Sequence, residues 1–120
     1  MHRTYIIGKR YRLSILRGCD SLKYREIYSG LIRIHILHHA AEAPVYGLWL
    51  IEELEHHGYR LSAGTIYPLL HSLEKRGYLK SSEERKGHTA RKLYRATTVG
   101  KRALSEAKSK VKELLKELEE

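Results

Sequence analysis

The chain has 120 residues, of which 42% are hydrophobic and 31% charged, a balance that fits one folded domain and excludes a disordered polymer. The formal net charge is +9 and the pI about 9.7, which favours an anionic partner: nucleic acid first, an anionic membrane surface second, with a merely solvated basic surface as the plain alternative. A single cysteine, Cys19, excludes an intrachain disulfide, and no apolar run approaches the roughly 18 residues of a membrane span, so we expect a cytoplasmic protein with no membrane partner and no signal peptide.

Asn, Gln and Phe are absent while Lys, Arg and Glu are abundant. Very hot environments favour that balance, so a thermophilic source is an expectation, with chance bias in a short chain as its competitor.

Residues 1–23 form a basic N-terminal extension in which Arg3, Lys9, Arg10, Arg12, Arg17 and Lys23 face only Asp20. A hairpin, a loose arm and an extra helix all remain open for it. From Tyr24 to Ala41 the pattern is helical: Ile27, Leu31, Ile34, Leu37 and Ala41 recur at spacings of three and four, and Ile32, Ile36 and Ala40 widen the stripe. Pro44 suits the start of a second helix, which reads VYGLWLIEELEHHG; Leu48, Ile51 and Leu54 point one way, Glu52, Glu53, Glu55, His56 and His57 lie mostly outside, and Gly58 ends it.

A short connector, Tyr59-Arg60-Leu61, leads to a third helix. Ser62 is its candidate N-cap, Ile66, Leu69, Leu70 and Leu73 form its apolar face, and Gly77 is its stop signal. Two helices joined by so short a glycine-containing link have the shape of a helix-turn-helix. Gly64 and Pro68 are poor helix formers inside this short helix, which points to a constraint on its outer face. After Gly77 the helical period is lost. YLKSSEERKGHTARKLYRATT reads as two strands around a Lys86-Gly87-His88-Thr89 turn, with Leu79, Leu93 and Tyr94 of strand character. Lys75, Arg76, Lys80, Arg85, Lys86, Arg91, Lys92 and Arg95 outnumber Glu83 and Glu84 here, so the hairpin reads as a basic wing.

The last element, TVGKRALSEAKSKVKELLKELEE, has Thr97 or Thr98 as its cap. Leu104, Ala107, Val111, Leu114 and Leu118 alternate spacings of three and four, as in a coiled-coil seam, and predict dimerisation; packing on the chain's own first helix is the alternative. The expected fold is therefore mainly α with a small two-stranded β wing. Its parts are an extension over 1–23, a winged helix-turn-helix over 24–97 and a dimerisation helix over 98–120.

Three stretches, APVYGLWLIEEL, LSAGTIYPLLHSLEKRGYL and GHTARKLYRATTVGKRAL, closely resemble the PadR family of transcriptional regulators over roughly residues 30–105. The family's second helix opens on a His-Gly-Tyr-like pattern, here Pro44-Val45-Tyr46-Gly47. Its recognition helix carries Ser-Pro-Gly-Thr-Leu-Tyr-Pro, here Ser62-Ala63-Gly64-Thr65-Ile66-Tyr67-Pro68 with Ala63 for the usual proline. Its wing ends in a basic strand and Thr-x-x-Gly, here Arg91 to Gly100. The short C-terminal part is similar to the smaller type, with a single dimerising helix. The resemblance implies a homodimeric repressor on double-stranded DNA with a pseudo-palindromic operator, and a small-molecule effector at or near the dimer interface. A pocket for it would lie between helices near Tyr46, Trp49 and the last helix, where core packing is the plain reading of Trp49.

The expected DNA-binding residues follow from groove geometry and the resemblance together. Ser62, Gly64 and Thr65 bring the first turn and its free N–H groups to a phosphate; Thr65, Tyr67, Pro68 and His71 face the major groove. Lys75, Arg76, Lys86, His88 and Arg91 contact phosphates or insert into the minor groove. Tyr67 packing on the neighbouring helix and Pro68 shaping the helix start are the plain alternatives.

Three rival readings stand beside this one. His35, His38 and His39 at spacings of three and four, with His56-His57 on the next helix, suit a metal-sensing winged-helix repressor. Surface histidines without a role are the competing reading, and no metal or other cofactor is expected. No nucleophile–base pair, phosphate-binding glycine loop or carboxylate pair supports an enzyme. A winged helix used for protein assembly is disfavoured by the basic wing.

Overall fold

The computed structural model describes residues 25–120. The expectations for residues 1–23 lie outside the described residues. Four helices and three strands follow in the order α1 (Arg25–Glu42), β1 (Val45–Tyr46), α2 (Gly47–His56), α3 (Ala63–Lys75), β2 (Leu79–Lys86), β3 (Thr89–Ala96) and α4 (Thr98–Leu118). The architecture is mainly α with a β wing, as expected.

The core lies where α1, α2 and α3 meet the sheet. Its fully buried side chains are Ile36 from α1, Leu50 and Leu54 from α2, Ile66 and Leu70 from α3 and Leu79 from β2. On α1 the buried face is Ile32, Ile36, Leu37 and Ala40, whereas Ile27 and Leu31 are 71% and 41% exposed. The buried face thus follows Ile32, Ile36 and Ala40, expected only to widen the stripe, while the stripe's first two positions stay in solvent.

Two expectations for the second helix fail. Pro44 does not start a helix: Val45 and Tyr46 are a short strand paired antiparallel to β3, Val45 opposite Tyr94 and Tyr46 opposite Leu93. The wing is therefore a three-stranded sheet of order β1-β3-β2. Val45, β-branched and buried, is suited to that role. The inward face of α2 is also rotated from the predicted one. Leu50 and Leu54 are buried with Glu53, Ile51 is half-buried, and Leu48 is 59% exposed. A helix with apolar residues at four consecutive positions, Leu48 to Ile51, leaves its phase open, and the neighbouring elements decide it.

Helices α2 and α3 end alike. Gly58 and Gly77 take φ of +95° and +88°, the left-handed region in which a Cβ is costly. The amides of Tyr59 and Tyr78 reach back to the carbonyls of Leu54 and Leu73, both at 2.9 Å, closing a Schellman motif at each end. Ser62 occupies the N-cap position of α3, but its side chain makes no capping bond to a backbone amide. Its Oγ lies 3.5 Å from the Thr65 hydroxyl instead, so the expected cap does not form.

The hairpin pairs in full register from Leu79 opposite Ala96 to Lys86 opposite Thr89, with Gly87 in the predicted turn. Thr97, rather than Thr98, caps α4: its Oγ1 accepts from the Gly100 amide at 3.0 Å and donates to the Gly77 carbonyl at 2.6 Å. The Thr97 amide donates to the Tyr78 carbonyl, which ties the start of α4 to the α3–β2 junction. The approach is close enough that a Cβ on Gly100 would sit 2.1 Å from that carbonyl oxygen.

Gly100→Ala is accordingly expected to cost about 3 kcal/mol, since the obstacle is backbone that cannot swing away. Gly30→Ala, on an exposed face of α1 with nothing within 4 Å, is expected to stabilise by about 0.5–1 kcal/mol. Thermal unfolding of the two variants side by side checks both signs.

Candidate nucleic-acid interface

The outward face of α3 and the nearer strand of the wing border one open groove of about 750 Å³. Tyr67, Pro68 and His71 come from α3; Ala90, Arg91, Lys92 and Tyr94 come from β3; Tyr46, Gly47 and Leu48 form the floor at the β1–α2 junction. A second shallow depression continues along α3 through His71, Ser72, Lys75 and Arg76. The lining joins exposed aromatic and apolar surface to five basic or imidazole side chains, His71, Lys75, Arg76, Arg91 and Lys92.

Tyr67 shows how the groove is shaped. It is 40% exposed, on the face of α3 opposite the buried Ile66, Leu70 and Leu73. Its ring lies directly on Gly47: a Cβ there would meet Tyr67 Cε1, Cζ and Oη at 2.5, 2.7 and 2.8 Å. Pro68 follows on the same exposed face. Lacking an N–H, it cannot donate to the carbonyl of Gly64 four residues earlier, so this turn of α3 is weaker than its neighbours. Gly64 itself has no crowding within the chain; a Cβ would be 3.7 Å from the Ser62 hydroxyl, an ordinary contact. Its glycine is not demanded by the chain's own packing.

The wing is held by two polar clamps. At the C-terminal end of α3, Glu74 accepts from the Ser81 hydroxyl at 2.7 Å and the Ser81 amide at 3.0 Å, and these bonds hold its carboxyl below the usual range against the opposing effect of burial. On the other side, the Arg91 guanidinium stacks 4.2 Å over the Tyr46 ring, while the Tyr46 hydroxyl donates to Glu84. That hydrogen bond, more than desolvation, raises the Tyr46 phenol. Glu84 also sits opposite Arg91 in the hairpin register, so β1, β2 and β3 meet in one partly buried cluster. Tyr94, buried behind the groove, is raised by burial first and by Glu74 and Tyr67 next.

Of the residues predicted from sequence to meet DNA, Tyr67, Pro68, His71, Lys75, Arg76 and Arg91 gather on this continuous surface. Ser62 and Gly64 are exposed at the N-terminal end of α3, and Lys86 and His88 are exposed at the hairpin tip. Thr65 is turned elsewhere: it is half-buried and borders a separate hollow with Ile32 and Arg33 of α1. Sequence reasoning missed Tyr46, Leu48 and Lys92 as groove residues. The exposed Leu48 was legible only through the true phase of α2, and Tyr46 only through its pairing with β3. On the predicted dimer seam, Leu104 and Ala107 are half-buried against the body, whereas Val111, Leu114 and Leu118 are 38%, 49% and 72% exposed.

A second polar cluster lies between α1 and the end of α2. Glu53, expected outside, is 3% exposed. Its Oε2 is 3.3 Å from His39 Nε2 and 3.1 Å from His57 Nε2. His35 stacks on His57 with ring centroids 4.6 Å apart. Burial foremost, and the neighbouring imidazoles of His57, His39 and His38, lower His35 to about 4, with Glu53 acting in the opposite sense.

Two short helices, an exposed recognition-type helix and a basic wing beside it define a winged helix-turn-helix protein. Residues 36–106 match the Transcriptional regulator PadR-like family, and the chain belongs to it. Transcriptional regulator Rv3488 of Mycobacterium tuberculosis is 48% identical over 94 residues, covering 78% of this chain and 88% of that protein. Among solved structures, a PadR family transcriptional regulator from Eggerthella lenta superposes with a TM-score of 0.71 at 34% identity, over 82% of this chain and 87% of the other. A PadR-like transcriptional regulator from Bacillus cereus superposes at 0.70 with 26% identity, over 78% of this chain and 93% of the other.

Gly47→Ala tests the groove's construction. The new methyl meets the far end of a partly exposed ring, so the fold is expected to survive with a loss of about 1 kcal/mol while Tyr67 swings away. Thermal unfolding reads the first, and altered NMR contacts between the Tyr67 ring and residue 47 read the second.

Proposed function

We propose that the protein is a non-catalytic, cytoplasmic transcriptional repressor that binds double-stranded DNA as a homodimer through the groove between α3 and the wing. The observation that carries this reading is that groove. It combines a protruding helix face bearing Tyr67, Pro68 and His71 with a strand bearing Arg91 and Lys92, in a chain of net charge +9. B-DNA's major groove admits one helix, and phosphates on its rim attract flanking cations. The helix presents its N-terminal half to base edges; Lys75 and Arg76 at its C-terminal end, with Lys92 on the wing, meet the backbone. Lys86 and His88 at the hairpin tip are poised for the adjacent minor groove. With no Asn or Gln in the chain, base reading falls to Tyr, His, Ser, Thr, Arg and Lys and to DNA shape.

The dimer reading rests on α4. Its first half packs on α1 and the body, but Val111, Leu114, Leu115 and Leu118 continue the apolar stripe into solvent. Ile27 and Leu31, exposed on the helix that α4 packs against, add apolar surface nearby. A second copy of the stripe covers it at low cost, and two-fold symmetry then sets two recognition helices for a pseudo-palindromic site.

Fluorescence anisotropy with a labelled duplex from the region upstream of the protein's own gene, an unrelated duplex and a salt series tests the proposal. Preferential binding to the upstream duplex is expected, with log K falling by about 0.9 per phosphate contact for each unit of log salt. No binding at low salt contradicts it. Tyr67→Ala is expected to weaken binding about tenfold, or about 1.4 kcal/mol, with melting nearly unchanged. A large loss of melting temperature with unchanged DNA affinity would make Tyr67 a packing residue only. Val111→Glu is expected to convert the dimer to monomer in sedimentation; an unchanged dimer would rule out the α4 seam.

A further inference from the structure

The histidine cluster lies away from the DNA-facing groove and has a distinct chemistry. Two pairs at i, i+4 spacing, His35 and His39 on α1, and Glu53 and His57 at the end of α2, face each other across the helix interface. That spacing sets two side chains on one helix face, one turn apart. One potential ligand atom from each of His35, His39 and His57 lies within 4.8 Å of the others. The Glu53 carboxylate oxygen is 3.3 and 3.1 Å from the Nε2 atoms of His39 and His57.

These lengths suit one class of ligand. A tetrahedral zinc ion with bonds of about 2.0–2.1 Å holds its donor atoms about 3.3–3.4 Å apart. Glu53 already stands at that edge length from two imidazoles, and a ring nitrogen of the half-buried His35 lies within 4.8 Å of theirs. The donor set, imidazole nitrogen with one carboxylate, favours zinc and its neighbours over magnesium or calcium. An ion pair alone also explains Glu53 beside His39 and His57. It does not explain why a third imidazole is stacked on His57 at 4.6 Å in the same enclosed place. Glu53 and His39 have side chains only 3% and 4% exposed, whereas His57 is 35% exposed and gives an ion its way in.

We propose that His35, His39, His57 and Glu53 form a site for a zinc-class divalent cation that ties α1 to the end of α2. His57 is the C-cap of α2, directly before Gly58 and the connector into α3. An ion there stiffens the turn from which the recognition helix departs. The rival grouping of His38, His39 and Glu42 is more open, its His38 and Glu42 side chains being 52% and 47% exposed at 3.5 Å.

The test uses untagged, metal-stripped full-length protein titrated with zinc in a calorimeter and with cobalt in a visible spectrometer. We expect one ion per chain, a raised melting temperature, and the intense visible bands of four-coordinate cobalt. His57→Ala, at a partly exposed position, should weaken binding at least about tenfold, and His38→Ala should leave it unchanged. Absence of saturable binding overturns the proposal. So does a His57→Ala variant that binds as tightly as the native chain, or a loss confined to His38→Ala, which would assign the ion to the rival group.

Discussion

The contact of Tyr67 with Gly47 shapes the groove between α3 and the wing, the surface proposed to meet DNA. A recognition helix is useful only if its outer face is held at a fixed angle to the wing beside it. Here the aromatic ring of α3 rests where any larger residue at the start of α2 would collide with it. The same junction carries β1, which is paired with β3. The ring contact and the strand pairing thus meet at one junction, and the groove is the space between α3 and the wing beside it.

The polar clamps complete that geometry. Glu74 bonds Ser81 from the far end of α3, and Tyr46 holds Arg91 and Glu84 from the near end. Both clamps are surface interactions of modest individual strength. Their importance is orientational: a two-stranded hairpin alone is marginal in water, and these bonds with β1 fix its direction. The start of α4 is joined to the same frame through Thr97 and Tyr78, so the helix proposed to set dimer geometry departs from the wing's base. Spacing between two recognition helices in a dimer would then be transmitted through rigid joints.

Much of this was legible in the chain. The glycine stops at Gly58 and Gly77, the turn around Gly87 and the exposed seam beyond Val111 all follow from local chemistry that tertiary packing does not override. The GTIYP element carried the family, and the spacing of Ile66, Leu70 and Leu73 marked the buried face of α3, although Thr65, expected on the outer face, is half-buried. The errors have physical causes. The run Leu48 to Ile51 has no unique helical phase, so the buried side of α2 depends on α1 and α3. Val45 and Tyr46 form a strand because β3, far away in sequence, offers a free edge. Glu53 is buried because histidines on another helix await it, and no local signal marks a buried carboxylate. Ser62 has the right identity and place for a cap, yet its hydroxyl turns to Thr65.

Hydrogen exchange measured with and without the bound duplex tests the central claim most directly, because it locates the contact instead of merely detecting it. The account predicts new protection concentrated in residues 62–76 and 86–92, along the outer face of α3 and the wing. Protection centred on α4 or on the α1–α2 histidine face, with α3 and the wing unchanged, would contradict it.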